Sequence, residues 1–121
     1  MTKRDTARAW GRRSEWLAEA LLRLKGFRIL DRQYRVKGGE IDLIARRGDL
    51  VAFVEVKARP TVLEAMEAVT PAKRRHMGRA ARHWLARNPR AARCRLRADA
   101  VLVTPWGWPR HVAGMVELEL D

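Results

Sequence analysis

The stretch "GGEIDLIARRGDLVAFVEVKAR", Gly38 to Arg59, decides the fold. Two apolar runs, "EIDLIAR" and "LVAFVEVK", flank a short "RGD" turn, the pattern of two strands joined by a hairpin. Each run carries a carboxylate among its Ile, Leu, Val and Phe: Asp42 in the first, Glu55 in the second. An unpaired charge held among apolar side chains is expensive, because desolvation removes the water that stabilised it. These two acids therefore demand a cationic partner, and that demand organises the functional reading.

Upstream of the hairpin, "FRILDRQYRV" alternates as a strand does, and "KGG" turns it into the next. The three runs predict an antiparallel meander. From Thr6 to Lys25 the spacing of Trp10, Leu17, Leu21 and Leu24 predicts a helix that Gly26 stops. Downstream, Pro60 ends the third strand, and Thr70 followed by Pro71 starts a second helix that "NPR" breaks after Asn88. Its apolar side is Met77, Ala81, Trp84 and Leu85, with Arg75, Arg79 and Arg82 on another face. "RLRADAVLVT" reads as a fourth strand, "PWGWP" as a turn and "RHVAGMVEL" as a weaker fifth strand. The order α-β-β-β-α-β-β predicts an α/β fold, a mixed central sheet of about five strands flanked by helices on both faces.

With 121 residues the chain is expected to form one domain, residues 1–121. That length buries a core without disulfides or metal staples. Cys94 is the sole cysteine, which rules out an intrachain disulfide and a cysteine-based zinc site. No apolar run is long enough for a membrane span, and the basic N-terminus lacks a signal-peptide core, so a cytoplasmic location is expected. The net charge of +12 favours a polyanionic partner. Ten Lys or Arg residues lie between Lys73 and Arg97, and no Asp or Glu occurs between Glu67 and Asp99. A solvated surface is the plain reading of such a run; phosphate binding is the stronger one. An anionic membrane is disfavoured because the basic helix has no large apolar face.

Side chains two apart on a strand share a face, so Glu55 and Lys57 point the same way. Asp49 in the turn is seven residues after Asp42 and six before Glu55, which sets the two acids nearly opposite each other. Adjacent carboxylates repel unless a cation joins them. Two hard oxygen ligands suit Mg²⁺ or Mn²⁺, with the Val56 carbonyl as a further ligand. A lysine alongside can orient bound water or stabilise a phosphate, so the group is equipped for phosphodiester hydrolysis. The competing reading is a structural ion pair, since E-x-K by itself arises often by chance.

The motifs "GGEIDLI" and "FVEVKAR" closely resemble the signature of the YraN-like family of small bacterial proteins. That family is classed with the PD-(D/E)xK nuclease fold and is similar in architecture to archaeal Holliday-junction resolvases. The resemblance spans roughly Gly11 to Val103 and implies a restriction-endonuclease-like core. It implies that Asp42 and Glu55 are metal carboxylates, that Lys57 is the catalytic lysine and that Glu15 on the first helix assists the metal. Glu15 shares a helical stripe with Ala18 and Leu22, which allows it to face either the sheet edge or solvent. Lys73 matches a further basic position, and Arg97–Asp99 matches an Arg-Phe-Asp motif with Ala98 in place of Phe. The chain also departs at Ser14, where the family has Gly, and at Gln33-x-Arg35, where it has Asn-x-Arg.

The leading expectation is a Mg²⁺- or Mn²⁺-dependent endonuclease acting on DNA rather than RNA, with branched or structured DNA as one substrate class. Arg35, Arg59, Lys73, Arg74, Arg75, Arg79 and Arg82 are the expected nucleic-acid contacts. The alternative is a nucleic-acid-binding protein that keeps the nuclease fold without the chemistry. Resolvase-like enzymes with symmetric substrates favour a homodimer. His76, His83 and His111 show no metal-ligand spacing, and Cys94 reads as a strand residue. Trp16 and Trp84 are expected in or beside the core. Packing is also the expected role of Trp106 and Trp108, with stacking on an unpaired base as the alternative for one of them.

Overall fold

The computed structural model describes residues 3–116, with side chains for residues 11–114. The elements are α1 (Lys3–Leu24), β1 (Arg28–Val36), β2 (Gly39–Arg47), β3 (Leu50–Ala58), α2 (Val62–Glu67), α3 (Pro71–Arg87), a 3-10 turn (Ala91–Arg93), β4 (Arg95–Val103) and β5 (Arg110–Val116). The Trp10 side chain and residues 117–118 of the expected fifth strand lie outside the described residues.

The strands form one mixed sheet in the order β1-β2-β3-β4-β5. β1, β2 and β3 make the expected antiparallel meander. β3 and β4 run parallel, and β5 returns antiparallel to β4. A parallel step needs a crossover, which α2 and α3 supply.

Strand alternation divides the core. Val51 and Phe53 of β3 face Met77, Ala80, Ala81 and Trp84 of α3, while Leu50, Ala52 and Val54 face Ala18 and Leu22 of α1. Helices thus cover both faces, which is why β3 reads as an almost continuous apolar run. Each large side chain so buried stabilises the fold by roughly 1.5–3 kcal/mol.

The buried stripe of α1 differs from the expected one. Ser14, Ala18 and Leu22 form it, whereas Leu24 is 86% exposed. Small residues at two of these positions, Ser14 and Ala18, let the helix lie close to the sheet. α2 was not anticipated. Thr61 and Glu64 form a capping box around its first turn, and Ala65 packs with Ala100 and Leu102 of β4.

The glycines of the β1–β2 turn position α3. Gly38 has φ +77, and a Cβ on Gly39 would lie 2.5 Å from the His76 carbonyl oxygen and 2.9 Å from the Ala80 nitrogen. The basic helix therefore rests directly on the turn that leads into Asp42.

Candidate active site and basic groove

β2 and β3 pair as far as Leu43 opposite Val54. One step further, the same register sets Asp42 opposite Glu55. There a side chain takes over from the ladder: Val56 N–H donates to Asp42 Oδ2 at 2.7 Å. Glu55 is 1% exposed. Lys57 Nζ, on the same face of β3, stands 2.8 Å from Glu55 Oε1, and Lys73 Nζ, in the first turn of α3, stands 3.6 Å from it. Glu55 Oε2 is buried with no hydrogen-bond partner among the described residues.

Burial, followed by the charge of Glu55, pushes the Asp42 carboxyl up to about 7 against the pull of the Val56 N–H, and Glu15 and Glu40 add to the push. Burial works against the charge of Lys73, but Glu55, Glu40 and Asp42 outweigh it and raise the ammonium above its ordinary value. Lys73, expected among the phosphate contacts, is thus drawn into the acidic cluster as a second cation.

The donor set suits a hard divalent cation. Mg²⁺ takes one or two protein carboxylates and keeps several waters, and here two opposed acids include one oxygen left without a partner. Among the described residues no group of three or more His, Cys, Asp or Glu is placed to hold a metal ion. Asp42 and Glu55 would therefore be the main protein ligands, with the carbonyl of Val56 beside them.

Glu15 lines a small cavity of about 220 Å³ together with Arg12, Trp16, Gln33 and Asp42. Its carboxylate accepts a 2.6 Å bond from Gln33 Nε2. Gln33 lies between the pairs Arg32–Leu43 and Tyr34–Ile41, across from Asp42, and its backbone is left-handed at φ 48. Such a conformation is strained for a residue other than glycine. Of the two settings open to Glu15 from the sequence, the structure selects the one facing the sheet, where a strained strand residue engages it.

Arg35, Lys37, Arg79 and Arg82 line an open groove of about 540 Å³ beside this site, with no acid among its lining residues. Ion contacts link the two: Arg35 to Glu40 at 3.8 Å, Glu40 to Lys73 at 3.8 Å and Lys73 to Glu55 at 3.6 Å. The structure thus gathers three of the expected phosphate contacts and adds Lys37, whose signal was its place in the "RVKGG" turn. Arg59, Arg74 and Arg75 do not line the groove, and the Arg59 guanidinium donates to the Ala58 carbonyl at 2.7 Å.

The Arg97–Asp99 motif belongs to a different cluster. Asp99 is fully buried and accepts from Arg97 Nε at 2.8 Å, Gly114 N–H at 2.9 Å and His111 Nε2 at 2.8 Å. Burial works to raise its carboxyl, but His111, Arg97 and the Gly114 N–H hold it at about 2. Asp99 shares a strand face with Val101 and Val103 on the α1 side, away from Glu55. The histidine spacing gave no sign of this buried pairing of His111.

The tryptophans divide. Trp84 is 4% exposed, edge-on to Phe53, as expected. Trp16 is 68% exposed, and Trp106 and Trp108 are 97% and 94% exposed, so packing is not their role. Cys94 caps the 3-10 turn immediately before β4 and is not a strand residue.

A small mixed α/β protein with an acidic pair and a lysine at the end of its hairpin is the class defined by this fold and site. Residues 14–103 match the "Uncharacterised protein family UPF0102", and the chain belongs to that family, the YraN family. It is 61% identical over 109 residues to a UPF0102 protein of Methylocella silvestris, covering 90% of this chain and 88% of that one. It is 55% identical over 109 residues to a UPF0102 protein of Mesorhizobium japonicum, covering 90% of this chain and 87% of the other. A UPF0102 protein of Methylobacterium nodulans is 50% identical over 127 aligned positions, 98% of each chain. No helix among the described residues is long and apolar enough to cross a membrane.

Proposed function

We propose that this protein is a metal-dependent nuclease that hydrolyses phosphodiester bonds in DNA. The observation that carries the reading is Glu55: buried, held on one oxygen by Lys57 and Lys73, bare on the other, and set in register with Asp42. Mg²⁺ or Mn²⁺ between these acids would supply a Lewis acid and lower the pKa of bound water. The Val56 N–H orients Asp42 for that purpose. Lys57, whose side chain is 13% exposed, presents its ammonium where a phosphate at the site gains negative charge. Arg35, Lys37, Arg79 and Arg82 hold flanking phosphates, contacts that carry no base sequence.

One observation favours a second reading, a nucleic-acid binder without chemistry: two acids, not three, are gathered where a metal would sit. Asp42→Asn and Lys57→Ala variants, tested with wild type on linear and branched DNA in Mg²⁺ and in Mn²⁺, separate the two. Cleavage should fall by about 10²–10³-fold in each variant while DNA binding persists. Unchanged cleavage removes the site from the reaction. Wild-type protein that binds but cuts none of these substrates leaves the binder.

A further inference from the structure

We propose that the turn between β4 and β5 is a stacking platform on which Trp106 and Trp108 hold unpaired bases of single-stranded DNA beside the active site. The inference rests on the nuclease reading for its substrate class and names the strand form that the site receives.

Two indoles at 97% and 94% exposure are the first observation. An indole carries a large apolar surface, and a soluble chain gains nothing by leaving two of them in water unless a ligand covers them. Their presentation is built in. Pro105 and Pro109 restrict the backbone on either side of the pair. Gly107 between them sits so close to Thr104 that a Cβ would meet its Oγ1 at 2.9 Å.

The surroundings identify the occupant. Trp106 and Trp108 line a groove of about 360 Å³ with Pro105, Pro109, Leu17 and Arg13, in which the one charge is a cation. A lone guanidinium beside bare ring faces matches a phosphate followed by bases. A protein partner would want a wider aliphatic surface, and Leu17 is the one aliphatic residue larger than proline in the lining. Duplex bases have no free face to offer, whereas unpaired bases stack on aromatic rings in a sequence-tolerant way.

Topology joins this groove to the site. β3 and β4 are parallel, with Lys57 beside Leu102 and Ala58 beside Val103, and Arg59 N–H donates to the Val103 carbonyl at 3.1 Å. Glu55, Lys57 and the tryptophan turn therefore leave the sheet at the same end. α1 bridges them from above: Arg12, Glu15 and exposed Trp16 line the cavity of Asp42, and the adjacent stripe, Arg13 and Leu17, lines the tryptophan groove.

The test measures binding of the full chain in EDTA to a fluorescently labelled oligothymidylate and to a duplex of equal length. Trp106→Ala/Trp108→Ala should weaken the single-strand complex by about tenfold or more and leave duplex affinity within about twofold, with loss of oligonucleotide-induced tryptophan quenching. Trp106→Phe/Trp108→Phe should retain most of the affinity, since the ring face persists. Equal affinity of the alanine variant and wild type for the single strand overturns the platform, as does an equal loss for both DNA forms. A change in self-association with unchanged DNA affinity overturns it in favour of a protein interface. Binding is read without metal, so the nuclease reading can fail while the preference for single strands stands, and the platform can fail while cleavage stands.

Discussion

Replacing Asp42 by Asn should stabilise the metal-free protein, and the gain should grow with pH. Asp42 is 8% exposed and is raised from 3.8 to about 7 by burial and by Glu55. Between those values the folded chain keeps a proton that the unfolded chain has released. Stability therefore falls as pH rises through this window, and the loss is complete above about 7. The rise from 3.8 to about 7, at ~1.36 kcal/mol per pH unit, sets an upper bound of roughly 4 kcal/mol on the penalty at alkaline pH. Asn keeps an oxygen to accept the 2.7 Å bond from Val56 N–H but brings no charge to repel Glu55. Urea denaturation in EDTA from about pH 4 to about pH 8 measures the effect, as a gap between variant and wild type that widens by a few kcal/mol. Mn²⁺ at the alkaline end should narrow the gap, because a cation at a hundredfold excess over its dissociation constant stabilises the native state by about 2.7 kcal/mol. Parallel pH profiles for the two proteins, or equal stabilisation of both by Mn²⁺, would refute the strained acidic pair.

Asp99→Asn should have the opposite sign, destabilising the fold by about 3 kcal/mol or more, because Arg97 and His111 lose a buried charged partner. With Asp99 held at about 2, its contribution is present above 3.8 and is lost as pH falls toward 2. An acid-unfolding curve of the variant that matches wild type would contradict this. Removing the exposed groove arginine of α3 in Arg79→Ala should lower the slope of log affinity for DNA against log salt by about 1 and leave the urea midpoint in place. An unchanged slope would move the phosphate path away from α3.

The hairpin was legible because strand structure is a local property. Period-two alternation assigns Glu55 and Lys57 to one face of β3 whatever surrounds them, and the turn length sets Asp42 across from Glu55. The capped start of α3 was equally plain: Thr70 accepts from Lys73 N–H, with Pro71 next in line. α2 escaped because six residues show no helical period, and only its capping box, Thr61 with Glu64, could have revealed it. The buried stripe of α1 was misplaced because hydrophobicity marked Leu24, while close packing against the sheet selected Ser14 and Ala18.

Taken alone, the sequence determined the order of elements, the faces of the strands, the surplus of positive charge and the opposition of the two acids. Each follows from backbone geometry over a few residues or from simple composition. Tertiary structure decided which cation meets which acid. It drew Lys73 onto Glu55, turned Gln33 toward Glu15, enclosed Asp99 with His111 and left Trp106 and Trp108 in solvent. Such meetings depend on how helices settle across the sheet and on how strands remote in sequence align, and no local periodicity encodes those distances.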